Sequence, residues 1–474
     1  MINIKPALTF IALTLAGGSA LAANADPHVE GSLVLTMDKG MLEGNLCVSG
    51  LAEADEYEFL LNRGLNLRAI RSSPDGDPLA YQGFFNAVSE GDATRYSVSG
   101  LFPEQSLCVE YVGAYPIYDV DAGERSTIDW KGQIAFDGST VRATEQARFY
   151  PVPIDPVSGA PLQRVTFDIH VSCSTCNAIY IGGSAPVVGQ HRARFQSTDP
   201  RALLLYAGSF PVLSTDDAHF LGAEVSPKVS VAINQEVVRI ARTLERFLGI
   251  EYDERPALLS FASVSREHQL GEVDWAFLTW PTIALSGRRP FAALMEEQDG
   301  ELQLTPDKQM LISHEMAHYF FGGRYMPRGP LVNFLLESTA EFLALQVIRE
   351  LDGDARYEAQ LGLHYQEVAS SEMVPMDQVE RAPQLSGDFP FRIGPLLLVV
   401  LAERIGEDVL MRALSKLVLE SPRDPVNYAD FRSRLLAAGA NEKILKSYEK
   451  DCFLESVAAS CLKDRFSSNA GGNH

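Results

Sequence analysis

The stretch SHEMAHYFFGG at residues 313–323 constrains this chain more than any other, because it asks for a helix and for a second element placed opposite it. On a helix, His314 and His318 stand one turn apart on the same face. That separation lets two imidazole nitrogens reach one Zn²⁺. Glu315, beside the first histidine, is placed to take a proton from a water activated by such a metal. Thr305 can cap this helix, Pro306 suits its first turn, and Gly322-Gly323 can stop it. Two histidines do not complete a site, so the fold must bring a third ligand.

Eighteen residues separate His318 from Glu337, in ESTAEF. A second helix over about 331–350, folded back through a connection of about eight residues, carries it toward the pair. Two imidazoles and one carboxylate leave a fourth tetrahedral position open, the pattern of a catalytic rather than a structural zinc. One zinc ion per chain is therefore expected. Glu341, one turn beyond Glu337, has two readings: a group behind the site that orients a ligand, or part of a solvated helix face.

The remainder of the chain must supply the core for that helix pair. With 474 residues it is long enough for two or three domains. Residues 26–213 read as an antiparallel β-domain, a sandwich or saddle. YEFLLNRGLNLRAI (57–70), RYSVSGLF (95–102), SLCVEYVGA (106–114) and RVTFDIHVS (164–172) are β-rich runs separated by Gly, Asp and Pro turns. Residues 214–474 turn mostly helical: Ile233, Val237, Ile240, Ala241, Leu244 and Leu248 recur at helical spacing until Gly249. A β-rich interlude, ALLSFASV and WAFLTWPTIALSG, precedes the histidine helix, and helices follow to about 465. The fold class is thus α+β and multidomain.

Lys and Arg total 40 against 62 Asp and Glu, a net charge of −22 that excludes a role built on phosphate contacts with nucleic acid. Residues 1–22, MINIKPALTFIALTLAGGSALA, have the charged start, short apolar run and small-x-small end of a secretory signal peptide. No later stretch is long enough to span a bilayer, and Leu396–Ala402 reads as a buried helix segment. A periplasmic or secreted protein is expected. The six cysteines, Cys47, Cys108, Cys173, Cys176, Cys452 and Cys461, then favour disulfides. They permit 15 pairings; proximity suggests 173–176 and 452–461, leaving 47–108. Cys173-Ser174-Thr175-Cys176 also admits a redox or metal-binding reading.

HEMAHYFFGGRYMPRGPLVNFLLESTAEFLA resembles the HExxH-x18-E segment of the aminopeptidase-N family of gluzincin zinc peptidases. The resemblance extends to FLLNRGLNLRAI as an opening strand pair, to ARFYPVP with VTFDIHVS as late strands of the β-domain, and to RTLERFLGIEYDERPALLSFASV as the start of the catalytic part. IGPLLLVVLAERIGEDVLMRALSKLV resembles the helices after the zinc site. It does not reach the family's large C-terminal helical domain. It implies a thermolysin-like catalytic domain over 214–474, with His314, His318 and Glu337 as ligands and Glu315 as general base.

Two departures accompany the likeness. The family carries G-x-M-E-N on an edge strand, whose Glu binds the substrate's free amine. Here TWPTIALSG (279–287) has no acidic residue, and Met295-Glu296-Glu297 matches only at the wrong distance, so strict aminopeptidase specificity does not carry over. Phe391 falls where the family has an oxyanion-stabilising Tyr. Arg392 or Tyr365 could substitute, or serve as structural or solvent-facing groups, and His364 and His268 read as surface histidines. Two functions follow: an exported zinc metallopeptidase acting on peptides or proteins, or a zinc-retaining scaffold that binds peptides or partners without efficient hydrolysis. A redox protein built on Cys173 and Cys176 is the third reading. The sequence sets no oligomeric state.

Overall fold

In the segment RVTFDIHVSC (164–173), Val165, Phe167, Ile169, Val171 and Cys173 all turn inward, the period-two signature of a strand covered on one face. The computed structural model describes residues 26–84, 92–100, 105–156, 158–252, 255–265, 275–369, 389–422, 424–453 and 458–466. The signal segment 1–22 and His268 lie outside them.

The strands run in chain order β1 (His28–Thr36), β2 (Met41–Ser49), β3 (Glu56–Asn62), β4 (Leu65–Arg71), β5 (Tyr81–Phe84), β6 (Ala93–Ser99), β7 (Leu107–Ala114), β8 (Ala135–Phe136), β9 (Thr140–Thr144), β10 (Val152–Pro153) and β11 (Arg164–Cys173). Then come β12 (Ala178–Ile181), β13 (Val187–Val188), β14 (Arg192–Ala202), β15 (Leu204–Gly208), β16 (Val212–Ser214) and β17 (His219–Leu221). After the first long helix follow β18 (Ala257–Phe261), β19 (Ala276–Thr279), β20 (Thr282–Ser286), β21 (Met295–Gln298) and β22 (Glu301–Leu304).

Three sheets build the first part, in the orders β14-β11-β1-β2-β7-β4, β10-β3-β6-β5 and β13-β12-β15-β9-β8. Two features differ from the sequence expectation. β1 and β11 pair in parallel inside an otherwise antiparallel sheet. Parallel neighbours need a long crossover, and well over a hundred residues separate these two. The expected pair at 57–70 also splits: β3 bonds to β6 and β10, while β4 bonds to β7 in another sheet. A turn in which Gly64 N–H donates to Asn62 Oδ1 (2.9 Å) redirects the chain between the sheets. Phe59, Leu61, Leu65 and Ile70 then bury in one shared core.

The first long helix, α1 (Pro227–Leu248), follows the sequence closely. Ser226 Oγ accepts from Val229 N–H (3.3 Å), Pro227 opens the first turn, and Gly249 ends it at φ +65°. It links β17 to β18 in a mixed sheet of order β16-β17-β18-β20-β19, with β19 at the edge. Tyr180, Leu204 and Tyr206 share an apolar cluster with Leu221, Leu259, Phe277 and Ala284, joining this sheet to the β12/β15 face.

The helices that follow are α2 (Pro306–Ala317), α3 (Thr339–Asp352), α4 (Asp354–Val368), α5 (Gly394–Ile405), α6 (Glu407–Glu420), α7 (Tyr428–Ala437), α8 (Glu442–Tyr448) and α9 (Ala458–Phe466). The histidine helix α2 is shorter than its sequence suggests. Thr305 stands at its N-cap without a side-chain bond, and it ends at Ala317, with His318 as C-cap. The chain then turns through residues 318–325, where Gly322 adopts φ +120° and donates to Tyr325 O (2.7 Å). The connection to the next helical element is therefore 318–331, longer than the expected eight residues. Leu396–Ala402 lies buried within α5, and no helix among the described residues is long and apolar enough to cross a membrane.

The six cysteines form Cys47–Cys108, Cys173–Cys176 and Cys452–Cys461. Cys173 and Cys176 are each 1% exposed, tied across the turn between β11 and β12. Three disulfides suit an oxidising compartment.

Candidate metal centre

His314 lies in the last turn of α2 and His318 caps it, so both rings leave the same side of the helix. Their Nε2 atoms stand 3.1 Å apart. Glu337 arrives from a π-helical turn, Phe334–Ser338, just before α3, with its Oε2 3.5 Å from His314 Nε2 and 3.2 Å from His318 Nε2. A tetrahedral zinc with bonds of about 2.0–2.1 Å holds its ligand atoms about 3.3 Å apart. These three atoms already have that spacing.

The outer ring nitrogens are spoken for. His314 Nδ1 donates to Glu341 Oε2 (2.7 Å), and His318 Nδ1 donates to the Phe321 carbonyl (3.0 Å). The second bond exists because the helix stops at Ala317 and the chain curls back. With both Nδ1 protons placed outward, both Nε2 lone pairs face each other and a carboxylate. That arrangement calls for a cation between them. Electrostatics agree: burial works against a charged His314, yet the Glu337 and Glu341 carboxylates outweigh it and push its pKa well above the imidazole norm. The donor set, its spacing and its field all fit a divalent cation such as zinc.

Glu341 is 7% exposed, which leaves no room for the solvated-face reading. Its Oε1 accepts from His364 Nε2 (2.8 Å) and lies 3.5 Å from Arg392 Nη1. Burial opposes its charge, but the bonds from His314 and His364 prevail and hold its pKa down at about 2. His364 is no surface histidine: it is 2% exposed on α4, turned inward by its bond to Glu341. No local pattern marks it, because α4 meets α3 only through tertiary packing. Tyr365, the next residue, turns another way and packs against Phe466 with centroids 5.8 Å apart. Arg392 is occupied by Glu367 and Glu341.

Phe391 sits at the rim, 38% exposed, its ring centroid 5.9 Å from that of His314. It belongs to a second π-helical turn, Phe389–Ile393. That turn packs against the one carrying Glu337, and a side chain at Gly394 would strike Ser338 Oγ at 2.0 Å. Glycine at 394 thus permits the close approach that brings the two π-turns together.

Glu315 is 6% exposed. Burial raises its pKa, against the opposing pull of His314, His318 and Lys131. A raised carboxyl pKa suits a group that must take up and release a proton. Sequence reasoning missed the lysine. Lys131 comes from the loop before β8, and its Nζ donates to the Leu278 carbonyl on edge strand β19 (2.6 Å) while pairing with Glu145 Oε1 (2.7 Å). Glu145 also accepts from Thr279 Oγ1 (3.1 Å). Nothing local in the sequence announces the contacts to Leu278 and Thr279, which span more than a hundred residues. Glu296 and Glu297 lie exposed on the β21–β22 hairpin.

No protein-family model matches the chain, and no curated protein matches it by sequence. Solved structures do. Native leukotriene A4 hydrolase from Saccharomyces cerevisiae superposes with a TM-score of 0.62 at 13% identity, over 90% of this chain and 68% of that one. An M1 zinc metallopeptidase from Deinococcus radiodurans gives 0.61 at 13% identity, over 89% and 92%. A mutant of the latter bound to a Tyr-Ser-Ala substrate gives 0.63 at 14% identity, over 89% and 93%. The chain therefore has the mixed α+β fold of the M1 zinc metallopeptidases.

Proposed function

We propose that this chain is an exported zinc metallopeptidase that hydrolyses peptide bonds. The observation that carries the reading is the His314–His318–Glu337 triangle, with ligand atoms 3.1–3.5 Å apart and both outer imidazole nitrogens engaged. Zinc bound there would acidify a water toward pKa ~7 and polarise a peptide carbonyl. Glu315 takes the proton from the attacking water and hands it to the leaving amine. Glu341 holds His314 in the tautomer that presents Nε2. Phe391 excludes water from one side but donates no hydrogen bond, so turnover is slow. Residues 26–213 form the β-domain and 214–474 the catalytic domain, with 1–22 removed on export to the periplasm or medium.

A second reading, a zinc-retaining scaffold that binds peptides or protein partners, draws on Phe391 at the rim and on the lack of an acid in 279–287. One experiment separates them: digestion of a peptide library by zinc-loaded mature protein beside its Glu315→Gln variant, with metal measured in both. Cleavage lost in the variant at equal zinc supports the peptidase. Full zinc with no cleavage by either protein supports the scaffold.

A further inference from the structure

Lys131 is held in place more firmly than a surface lysine. Two residues before it, Asp129 pairs with Arg142 (2.5 Å), both side chains being almost fully buried. Asp129 Oδ2 also accepts from Ser263 Oγ (2.9 Å) and Val264 N–H (3.0 Å), and Thr144 Oγ1 donates to the Lys131 carbonyl (2.7 Å). This frame delivers the ammonium to a cradle of two acceptors, the Glu145 carboxylate and the Leu278 carbonyl. Glu145 is 3% exposed, and Leu278 lies on β19, the sheet edge packed beside the histidine helix. Trp280, two residues beyond Leu278, packs on Tyr319 beside His318 with ring centroids 4.9 Å apart, which sets this sheet edge against the metal-binding end of the histidine helix.

A buried carboxylate and a strand carbonyl at the sheet edge beside the histidine helix would make an ammonium site if left open. Here the chain fills it. We propose that Lys131 occupies from within the place where a substrate's N-terminal ammonium would pair with Glu145, so that the site takes internal or N-blocked peptides without preference for a free amine. The proposal rests on the peptidase reading above. It replaces a missing acid on 279–287 with a positive reason for indifference to the amine: an acid is present, in the turn after β9, and already paired with Lys131.

The test is competitive capture on immobilised, zinc-loaded full mature chain carrying Glu315→Gln, so that bound peptides survive. The probe is a lysine-free hexapeptide pool with free N-termini mixed with the same pool N-acetylated, read by mass spectrometry. With Lys131 present, the free-to-acetylated ratio should stay within about threefold of unity. Lys131→Ala vacates the cradle and should raise it about tenfold or more, as one charge-assisted pair does. Lys131→Arg should keep parity, and Lys131→Ala with Glu145→Gln should return to it, which a merely structural lock would not do. A tenfold free-amine preference with Lys131 in place, or an unchanged ratio in a folded, zinc-bearing Lys131→Ala protein, overturns the inference while leaving the peptidase reading intact. If Lys131→Ala does not fold, Lys131→Gln serves in its place, with the same rise in ratio expected. Capture of neither pool by any variant overturns both.

Discussion

Removing the Glu341 carboxylate should weaken zinc binding without touching a ligand. Glu341 accepts from His314 Nδ1 at 2.7 Å, a buried charge-assisted bond. Partners that orient a metal-bound imidazole are typically worth 10–100-fold in affinity, or about 1.4–2.7 kcal/mol. Glu341→Gln keeps the volume and an acceptor oxygen but removes the charge, so it belongs near tenfold. Glu341→Ala also frees the His314 ring and leaves the buried His364 without its carboxylate partner, so it belongs near a hundredfold. Zinc affinity measured by chelator competition, alongside melting of the metal-free proteins, reads both effects separately. Zinc Kd within about twofold of wild type in both variants would refute the claim that this carboxylate orients His314. Equal losses in metal-free stability and in affinity would assign the effect to folding instead.

Elemental analysis should find about one zinc ion per chain in the wild type; His318→Ala should lose most of it, while Glu315→Gln keeps it. Phe391→Tyr should raise kcat about 10-fold or more by restoring an oxyanion donor, with KM little changed; steady-state kinetics on a cleaved library peptide decide it. His219, bonded to Ser214 and buried between strands, has its pKa lowered to about 4 by burial and then by Arg255. Between about pH 6.5 and 4 the unfolded chain takes up a proton that the folded one refuses, so stability falls as pH drops through that window and levels off below it. Thermal melts should show this slope, and His219→Asn should flatten it.

Local signals carried the helix α1, its cap at Ser226 and its stop at Gly249, because periodicity and capping act within a few residues. They also carried the three donors, since HExxH fixes two on one helix face. They did not carry where α2 ends. The expected stop at Gly322-Gly323 gave way to an earlier one at Ala317, because the turn at 318–325 satisfies the freed carbonyls and anchors His318 through Phe321. The strand pair at 57–70 misled for a related reason: adjacency in sequence suggests a hairpin, whereas pairing follows which apolar face each strand must bury.

The sequence alone thus determined the chemistry available: two imidazoles one turn apart, a carboxylate between them, a third donor across eighteen intervening residues, and cysteines enough for three disulfides. These depend on residue identity and short-range spacing, which a helix converts directly into geometry. Tertiary structure decided what surrounds them. His364 stands behind Glu341 only because α4 packs on α3, Phe391 reaches the rim only because Gly394 lets two π-turns touch, and Lys131 meets Glu145 and Leu278 only because a loop before β8 lies against the edge of another sheet. Such contacts join residues far apart in the chain, and their energy comes from burial and pairing that no local window contains.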